Sequence, residues 1–381
     1  MTRRLLFVTG TRADFGLWVP VLQAARAHPN LEPMLLATAM HLDPRFGSTI
    51  DEVRAAGFPI AGELPCTPTG DSPAEMAAAV GRAIEGMAPL LERERPEWLL
   101  VLGDRGEQLA ATIAGMHLDL AIAHVAGGDR TFGAVDDAAR DMISRAAALH
   151  FVASEVAAER LRVIGEDERR IRLVGSPGLD DLRELVAGGD PASVRGRIGL
   201  PASGDYLVVA MHPETRGRRN AAADMSAVLD AAAGIGLPIV AIYPNADAGG
   251  RAMIEQIEGH PGLLAVPSLP RGEFAVLLAG ASALIGNSSA GLIEAPMLRV
   301  PAVNVGRRQE GRLRGDNVID VTADRESILA ALRRALDPEF RAALSGTSPY
   351  GDGHAAERIV RALAEEPMTD ELVFKRPRAQ A

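Results

Sequence analysis

The chain has one cysteine, Cys66, one lysine, Lys375, and few aromatic side chains, 4% of its 381 residues. A single cysteine excludes an intrachain disulfide and a cysteine zinc site, and fits a reducing cytoplasm. The lysine stands in a polar tail that reads as poorly ordered. Schiff-base chemistry, pyridoxal phosphate and a P-loop lysine are thereby excluded. No Gly-x-Gly-x-x-Gly follows a strand, so the usual sign of a dinucleotide cofactor is also missing. No apolar run approaches the roughly 20 residues of a membrane span. The apolar start, Met1 to Val8, breaks at Gly10-Thr11-Arg12, too soon for a signal peptide. A formal net charge of −10 argues against nucleic acid as the main partner. These absences together predict a soluble intracellular protein with neither membrane nor nucleic-acid partners.

What remains is an average globular composition, 47% hydrophobic and 24% charged, in a chain long enough to expect two domains. Apolar runs alternate with helical segments. Strands are expected over Leu5 to Thr9, Met34 to Ala39, Trp98 to Leu102, Leu120 to Val125, Leu149 to Ala153 and Ile171 to Val174. A second series covers Tyr206 to Met211, Pro238 to Tyr243, Leu263 to Val266, Ala283 to Ile285 and Ala302 to Val305. Runs that are apolar throughout, and not alternating, suit parallel sheets covered on both faces. The fold class expected is α/β, with two Rossmann-like, doubly wound domains facing a cleft. Gly175-Ser176-Pro177-Gly178 punctuates the chain. It divides residues 1–177 from residues 178–360, with 361–381 as a helix end and polar tail.

Polar constellations stand just past the strands, where open α/β sheets bind ligands. His124 to Asp137 turns on Gly127-Gly128 and brings Asp129, Asp136 and Asp137 together, as proton-transfer carboxylates or as helix caps. Gly10 to Gly16 is a glycine-bounded loop before a helix expected at Leu17 to Ala27, with free N–H groups for an anion. Arg12 there is a bidentate phosphate donor or an ordinary surface ion pair. Asp104 follows a strand as a cap or a working group. His212-Pro213-Glu214 is either structural or catalytic, and its His-x-Glu lacks the further ligands of a metal site. In Gly286 to Pro296, Asn287, Ser288 and Ser289 offer an anion cradle and Glu294 a ribose acceptor, or a capping box. Arg307, Arg308, Arg312 and Arg314 then make a basic loop in an acidic protein, for a phosphate-rich ligand, an acidic partner or solvent.

These stretches together resemble the hydrolysing UDP-N-acetylglucosamine 2-epimerases of sialic and legionaminic acid synthesis. The matching segments are Thr9-Gly-Thr-Arg-Ala-Asp-Phe-Gly16, Gly103-Asp-Arg105, Gly127-Gly-Asp129, Val135-Asp-Asp137 with Arg140, Val174-Gly-Ser-Pro177 and Met211-His-Pro213. Tyr243-Pro-Asn245, Gly286-Asn-Ser-Ser-Ala-Gly291 and Arg308-Gln309 with Gly311-Arg312 complete the series. The resemblance implies a glycosyltransferase-B-like architecture and a UDP-sugar substrate in the cleft. It implies removal of the C2 proton with anti elimination of UDP to a glycal, then hydration to the free, C2-inverted sugar. No metal or organic cofactor is implied, and a homodimer or homotetramer is. By the same resemblance Asp104 and Asp136 are acid/base residues and His212 assists the leaving group. Arg12, Ser288, Ser289 and Gly291 hold phosphate, Glu294 holds ribose, and Arg271 and Phe274 lie near the base. Asn287, Arg140 and Arg312 are further substrate contacts.

Two positions depart from the family pattern. Ala126 stands where many relatives carry a catalytic glutamate in His-x-x-Gly-Gly, and Asp141 stands where histidine usually follows the arginine matched by Arg140. Alanine transfers no proton, so either Asp129 takes over the role, or the step is reassigned for a different sugar, or activity is reduced. A non-hydrolysing 2-epimerase and a sugar-nucleotide-binding protein without turnover stay open as alternatives.

Overall fold

The computed structural model describes residues 2–47, 49–132, 135–215 and 220–375. Its first sheet contains β1 (Arg3–Thr9), β2 (Leu31–Thr38), β3 (Ile60–Leu64), β4 (Trp98–Leu102), β5 (Ala121–Val125), β6 (Leu149–Val152) and β7 (Ile171–Leu173). All pairings are parallel, in the order β3-β2-β1-β4-β5-β6-β7. The apolar runs have a direct cause. Along β1, Leu5 and Phe7 enter a core with Trp18 and Leu22 of the helix Arg12–Ala27. Leu6 and Val8 point the other way, toward Met87 and Leu91 of the helix Pro73–Glu94. A strand buried on both faces cannot alternate with polar residues.

The second sheet repeats the plan. Its strands are β8 (Leu207–Ala210), β9 (Ile239–Ile242), β10 (Leu264–Val266), β11 (Ala283–Gly286), β12 (Ala302–Val305) and β13 (Val318–Val321). They run parallel in the order β10-β9-β8-β11-β12-β13. Each sheet therefore reverses its winding direction once, between β1 and β4 in the first and between β8 and β11 in the second. That reversal opens a crevice beyond the strands' carboxyl ends. Gly286, at φ 131, sits so close to β8 that a Cβ would strike the Ala210 carbonyl, and the crevice floor there demands glycine.

The edge strands β3 and β13 lie outside the runs expected from sequence. Both are only half-buried, so neither carries the continuous apolar signature. The chain's end also differs from expectation. The helix Ala355–Glu365, most of which was assigned to the second unit, returns to the first. Ile359 and Leu363 are fully buried in the core with Trp18 and Trp98. The indole of Trp98 donates to the Leu363 carbonyl at 3.2 Å. An amphipathic helix docks wherever its apolar stripe finds a complementary face, and here that face belongs to β1 and its helix.

Lys375 is not loose either. It ion-pairs with Glu166 and donates to the Ser144 carbonyl at 3.3 Å. The rest of the expected tail, residues 376–381, lies outside the described residues. No described helix is long and apolar enough to cross a membrane. Replacing Ile359 with alanine should destabilise the first unit by about 2–5 kcal/mol. An unchanged denaturant midpoint for that variant would show that the returning helix is not part of this core.

Candidate active site

The loops at the two winding reversals face each other across a cavity of about 360 Å³. Of the residues singled out from sequence, Arg12, Asp104, Asp129, Asp136, Arg140, His212, Arg271, Phe274, Ser288, Ser289, Glu294 and Arg312 line it. The two units touch directly around the rim. Thr215 Oγ1 accepts the Val135 N–H at 3.0 Å, and the Arg130 carbonyl accepts Arg312 Nε at 2.5 Å. The Arg307 guanidinium lies 4.2 Å from the centre of the Phe132 ring. Gly133 and Ala134, part of the same acidic loop, lie outside the described residues.

Asp104 leaves β4 through Gly103, whose φ of 73 falls in the left-handed region. The following helix, Gly106–His117, is capped by Arg105 without a side-chain bond. Asp104 is therefore no cap. Its Oδ2 accepts from the Thr131 hydroxyl at 2.7 Å and from Arg140 Nη2. Burial pushes this carboxyl up, but Arg140, the Thr131 bond, Arg308 and Arg312 outweigh it and bring it down to about 2. Arg140 also donates to the Ala126 carbonyl at 2.5 Å. One guanidinium thus ties the end of β4, the loop after β5 and the helix Asp136–Ala146 together. His124 supports them from below: one ring nitrogen lies 2.8 Å from the Gly103 carbonyl and the other 3.1 Å from Ser144 Oγ. Burial and the neighbouring His150 lower this imidazole to about 3, so it stays neutral.

Asp136 behaves oppositely. It begins its helix buried, and burial together with the charges of Asp247 and Asp104 raises its carboxyl well above the ordinary range, against Arg308 and Arg105. Two carboxylates in one cleft with proton affinities pushed apart is the pattern of a divided acid/base site. Asp137 does the local turn chemistry, accepting the Thr131 N–H at 3.1 Å. Asp129 is buried at the cavity wall beside Arg140 and Arg312. Between it and β5, Ala126 adopts φ 61, which is uncommon outside glycine. At Gly128, φ 76, a Cβ would collide with the Ala157 carbonyl, so the loop can pass there only as glycine.

His212 follows β8 and is clasped by Asn287. The His212 N–H donates to Asn287 Oδ1 at 2.7 Å, and Asn287 Nδ2 donates to the His212 carbonyl at 2.9 Å. Its Nδ1 accepts the Asn245 N–H at 3.2 Å, which assigns the ring proton to Nε2. Burial, Arg308 and Arg105 lower the imidazole to about 3. His212 is thus a neutral N–H donor at the cavity wall.

Three expectations for the binding residues need correction. Asn287 does not line the cavity; its amide is spent on the His212 clasp. Gly291 does not line it either. Its N–H donates to the Ser288 carbonyl at 3.2 Å and its own carbonyl accepts from Asn317, so it has no donor left for phosphate. The stretch Gly10 to Gly16 is mostly helix, which starts at Arg12, and the N–H groups of Gly10 and Thr11 donate to Asp14 at 3.0 and 3.1 Å and are not free for an anion. Arg12 pairs with Glu52, while its buried Nε keeps no protein partner.

The basic loop divides in two. Arg308 and Arg312 face the cavity, whereas Arg307 pairs with Glu310 and Arg314 with Asp320. Glu294 is half-buried, its carboxyl is raised by desolvation against Arg271, and its Oε2 has no partner on the protein. Arg271 is braced by Asp181 and by the Gly178 carbonyl at 2.9 Å. Arg105 and Asp247, which meet across the cleft at 3.8 Å, were given no role from sequence. The arginine closes the Gly103-Asp-Arg105 segment, but nothing local marks the aspartate. Among the described residues, no group of three or more His, Cys, Asp or Glu is placed to hold a metal ion.

A first sheet that gathers carboxylates, a second that offers arginines and a neutral imidazole, and a sugar-nucleotide-sized gap between them narrow the choice of families. The model of the UDP-N-acetylglucosamine 2-epimerase family matches residues 23–364. The chain belongs to that family. It is 36% identical over 98% of its length, and 99% of the relative, to a hydrolysing UDP-N,N'-diacetylbacillosamine 2-epimerase from Legionella pneumophila. A UDP-N-acetylglucosamine 2-epimerase from Neisseria meningitidis is 33% identical over 87% of each chain. A GDP/UDP-N,N'-diacetylbacillosamine 2-epimerase of the hydrolysing kind from Campylobacter jejuni is 28% identical over 84% of each. Among solved epimerase structures, the UDP-GlcNAc-bound enzyme of N. meningitidis superposes with a TM-score of 0.81. It is 18% identical and covers 95% of this chain and all of that one. The 2-epimerase fold is the two-domain, glycosyltransferase-B-like arrangement described above.

The Asp104–Arg140 pair yields a stability test. Asp104 is held below its ordinary value in the folded state, so its contribution is present above pH 3.8 and fades as the pH falls toward about 2. Arg140→Met leaves a buried carboxylate without its partner, at a cost of about 3–5 kcal/mol near neutrality. Unfolding free energies of the two proteins should converge in acid, where Asp104 is protonated. A pH-independent difference would mean that Arg140 acts through packing alone.

Proposed function

We propose that this epimerase is of the hydrolysing kind. It converts a UDP-N-acetylglucosamine-type substrate and water to the free N-acetylmannosamine-type sugar and UDP. The observation that carries the reading is the split pair of carboxylates facing the second unit's cavity arginines, Arg308 and Arg312: Asp136 with raised proton affinity, Asp104 held ionised. Asp136 takes the weakly acidic C2 proton; a carboxyl raised toward neutrality is the stronger base for that step. The electron pair forms the C1–C2 double bond and the C1–O bond breaks, so UDP leaves anti to the proton. Negative charge grows on the diphosphate, opposite Arg308, Arg312, the Ser288–Ser289 turn and the His212 Nε2–H. Water then adds to the glycal, its hydroxyl at C1 and a proton at C2 from the other face.

Asp104 serves as a fixed charge that orients Arg140 and opposes ionisation of Asp136, and no longer as a proton donor. Asp129 is the carboxylate assigned to the second-face proton, because position 126 carries alanine. Arg12, through its free Nε, and Arg140 contact the substrate's charged and polar groups. Glu294 accepts ribose hydroxyls through its unpartnered Oε2, with Arg271 and Phe274 beside the base.

The likeness to hydrolysing diacetylbacillosamine 2-epimerases supports a 2,4-diacetamido sugar of the legionaminic type as substrate. A single buried cysteine supports a cytoplasmic site. Exposed Met142 and Leu173, 54% and 55% accessible, support a homo-oligomer. Ala126 favours one other reading, a sugar-nucleotide-binding protein without turnover.

Incubation with UDP-N,N'-diacetylbacillosamine and UDP-N-acetylglucosamine in deuterated water separates these readings. Hydrolytic epimerisation releases UDP and free sugar in equal amounts, with deuterium at C2. An equilibrium mixture of epimeric UDP-sugars contradicts the hydrolytic step, and tight UDP binding without exchange contradicts turnover. Asp136→Asn and Asp104→Asn should each abolish product while retaining UDP affinity. Near-normal rates remove the residue concerned from the mechanism.

A further inference from the structure

The loop after β9, Tyr243 to Gly249, touches more of the molecule than a connection needs to. Its Asn245 N–H fixes the His212 ring, as described above. Its Gly249 N–H donates to Asp71 Oδ1 of the first unit at 2.8 Å, and its Ala248 N–H points at Met76 Sδ, 3.3 Å away. At its centre is Asp247, buried at 8% exposure. Asp247 Oδ2 accepts from Asn245 Nδ2 at 2.5 Å, and Oδ1 lies 3.8 Å from Arg105 Nη1. Arg105 is the residue after Asp104, and its Nε donates to Glu107 Oε1 at 2.7 Å. A carboxylate from the second unit is thereby inserted into the first unit's proton-transfer cluster.

We propose that Asp247 is a positioning residue for proton transfer, contributed to the first unit's cluster by the second unit across the cleft. Its position gives it three effects. It holds Arg105 at the mouth of the Asp104 loop. It turns the Asn245 amide so that Oδ1, which has no protein partner, is an acceptor at the cavity wall. It also brings a like charge to Asp136. The charged groups acting on Asp136 are Asp247 and Asp104, which oppose its ionisation, and Arg308 and Arg105, which favour it; Arg140 lies within reach of the same field. Burial, with Glu107 and Asp104, raises the carboxyl of Asp247 itself against Arg105 and Arg308.

This inference rests on Asp136 being the base, and the test separates the two. A base works unprotonated, so kcat/KM falls as the pH drops through its pKa. Removing a neighbouring negative charge should move that acidic limb of Asp247→Asn to lower pH by about one unit. With the better substrate of the two above, Asp247→Glu should return the limb to its wild-type position. Asp247→Ser, which removes the charge with a smaller side chain, gives the same reading if the asparagine variant folds poorly. A limb that stays in place while kcat/KM drops equally at every pH overturns the proposal, because a purely structural role predicts that result. If Asp136→Asn keeps its turnover, both the base assignment and this inference fall. If Asp136→Asn is inactive and the Asp247→Asn limb is unmoved, only the inference falls.

Discussion

An ionised aspartate can remain in a nearly closed cleft only if something compensates its charge, and for Asp104 that is Arg140. The guanidinium is itself buried, 3% exposed, and breaking such a pair leaves an uncompensated charge worth about 3–5 kcal/mol. The pair therefore dictates where the helix Asp136–Ala146 sits relative to β4. It also holds the Ala126 carbonyl, and so the path of the Gly127-Gly128 turn. The wall formed by the ends of β4 and β5 takes its position from this contact, including the helix start that presents Asp136. The same ionised Asp104 adds to burial and Asp247 in keeping Asp136 from ionising easily. One buried ion pair thus fixes this part of the site and contributes to the asymmetry of its two carboxylates.

The second unit contributes the complementary half. Its winding reversal places His212 and Ser288 on adjacent loops, and the Asn287 clasp locks the first of these to the strand beside it. A neutral N–H donor and two cavity-facing arginines suit a departing diphosphate, whose charge increases as the bond to the sugar breaks. On the proposed roles, neither unit holds both the base and the leaving-group site. The contacts that join them at the rim, Val135 to Thr215 and Arg130 to Arg312, then belong to the active arrangement.

Much of the architecture was legible in the sequence because the central strands are buried on both faces. Trp98 to Leu102 could be read to the residue, and the doubly wound class followed from apolar strands alternating with helices, whereas the strand order that sets the two winding reversals came only from the structure. The edges were not legible: Ile60–Leu64 contains Gly62 and Glu63, and half-burial leaves no continuous apolar signal. The destination of the helix Ala355–Glu365 was hidden for another reason. Its amphipathic pattern says that it docks, and not which face receives it. At the site, residues flanking central strands were recoverable, Asp104, Asp136 and His212 among them. Asn287 and Gly291 were misjudged because a motif shows which residues recur together and not which atoms are already engaged. Asp247 carried no local mark at all, since its meaning lies in Arg105 of the other unit.

The central claim is that the two carboxylates divide their roles by proton affinity, Asp136 titrating high and Asp104 low. Isotope-edited infrared titration of the UDP complex, with carbon-13 in the aspartate carboxyls, measures this directly. The account predicts that, of the protonated aspartate bands persisting above the ordinary carboxyl range, one is lost in Asp136→Asn while those of Asp14 and Asp247 remain. It predicts that the band lost in Asp104→Asn is ionised down to strongly acidic pH. A high-titrating band that survives in Asp136→Asn and vanishes in Asp104→Asn would contradict it.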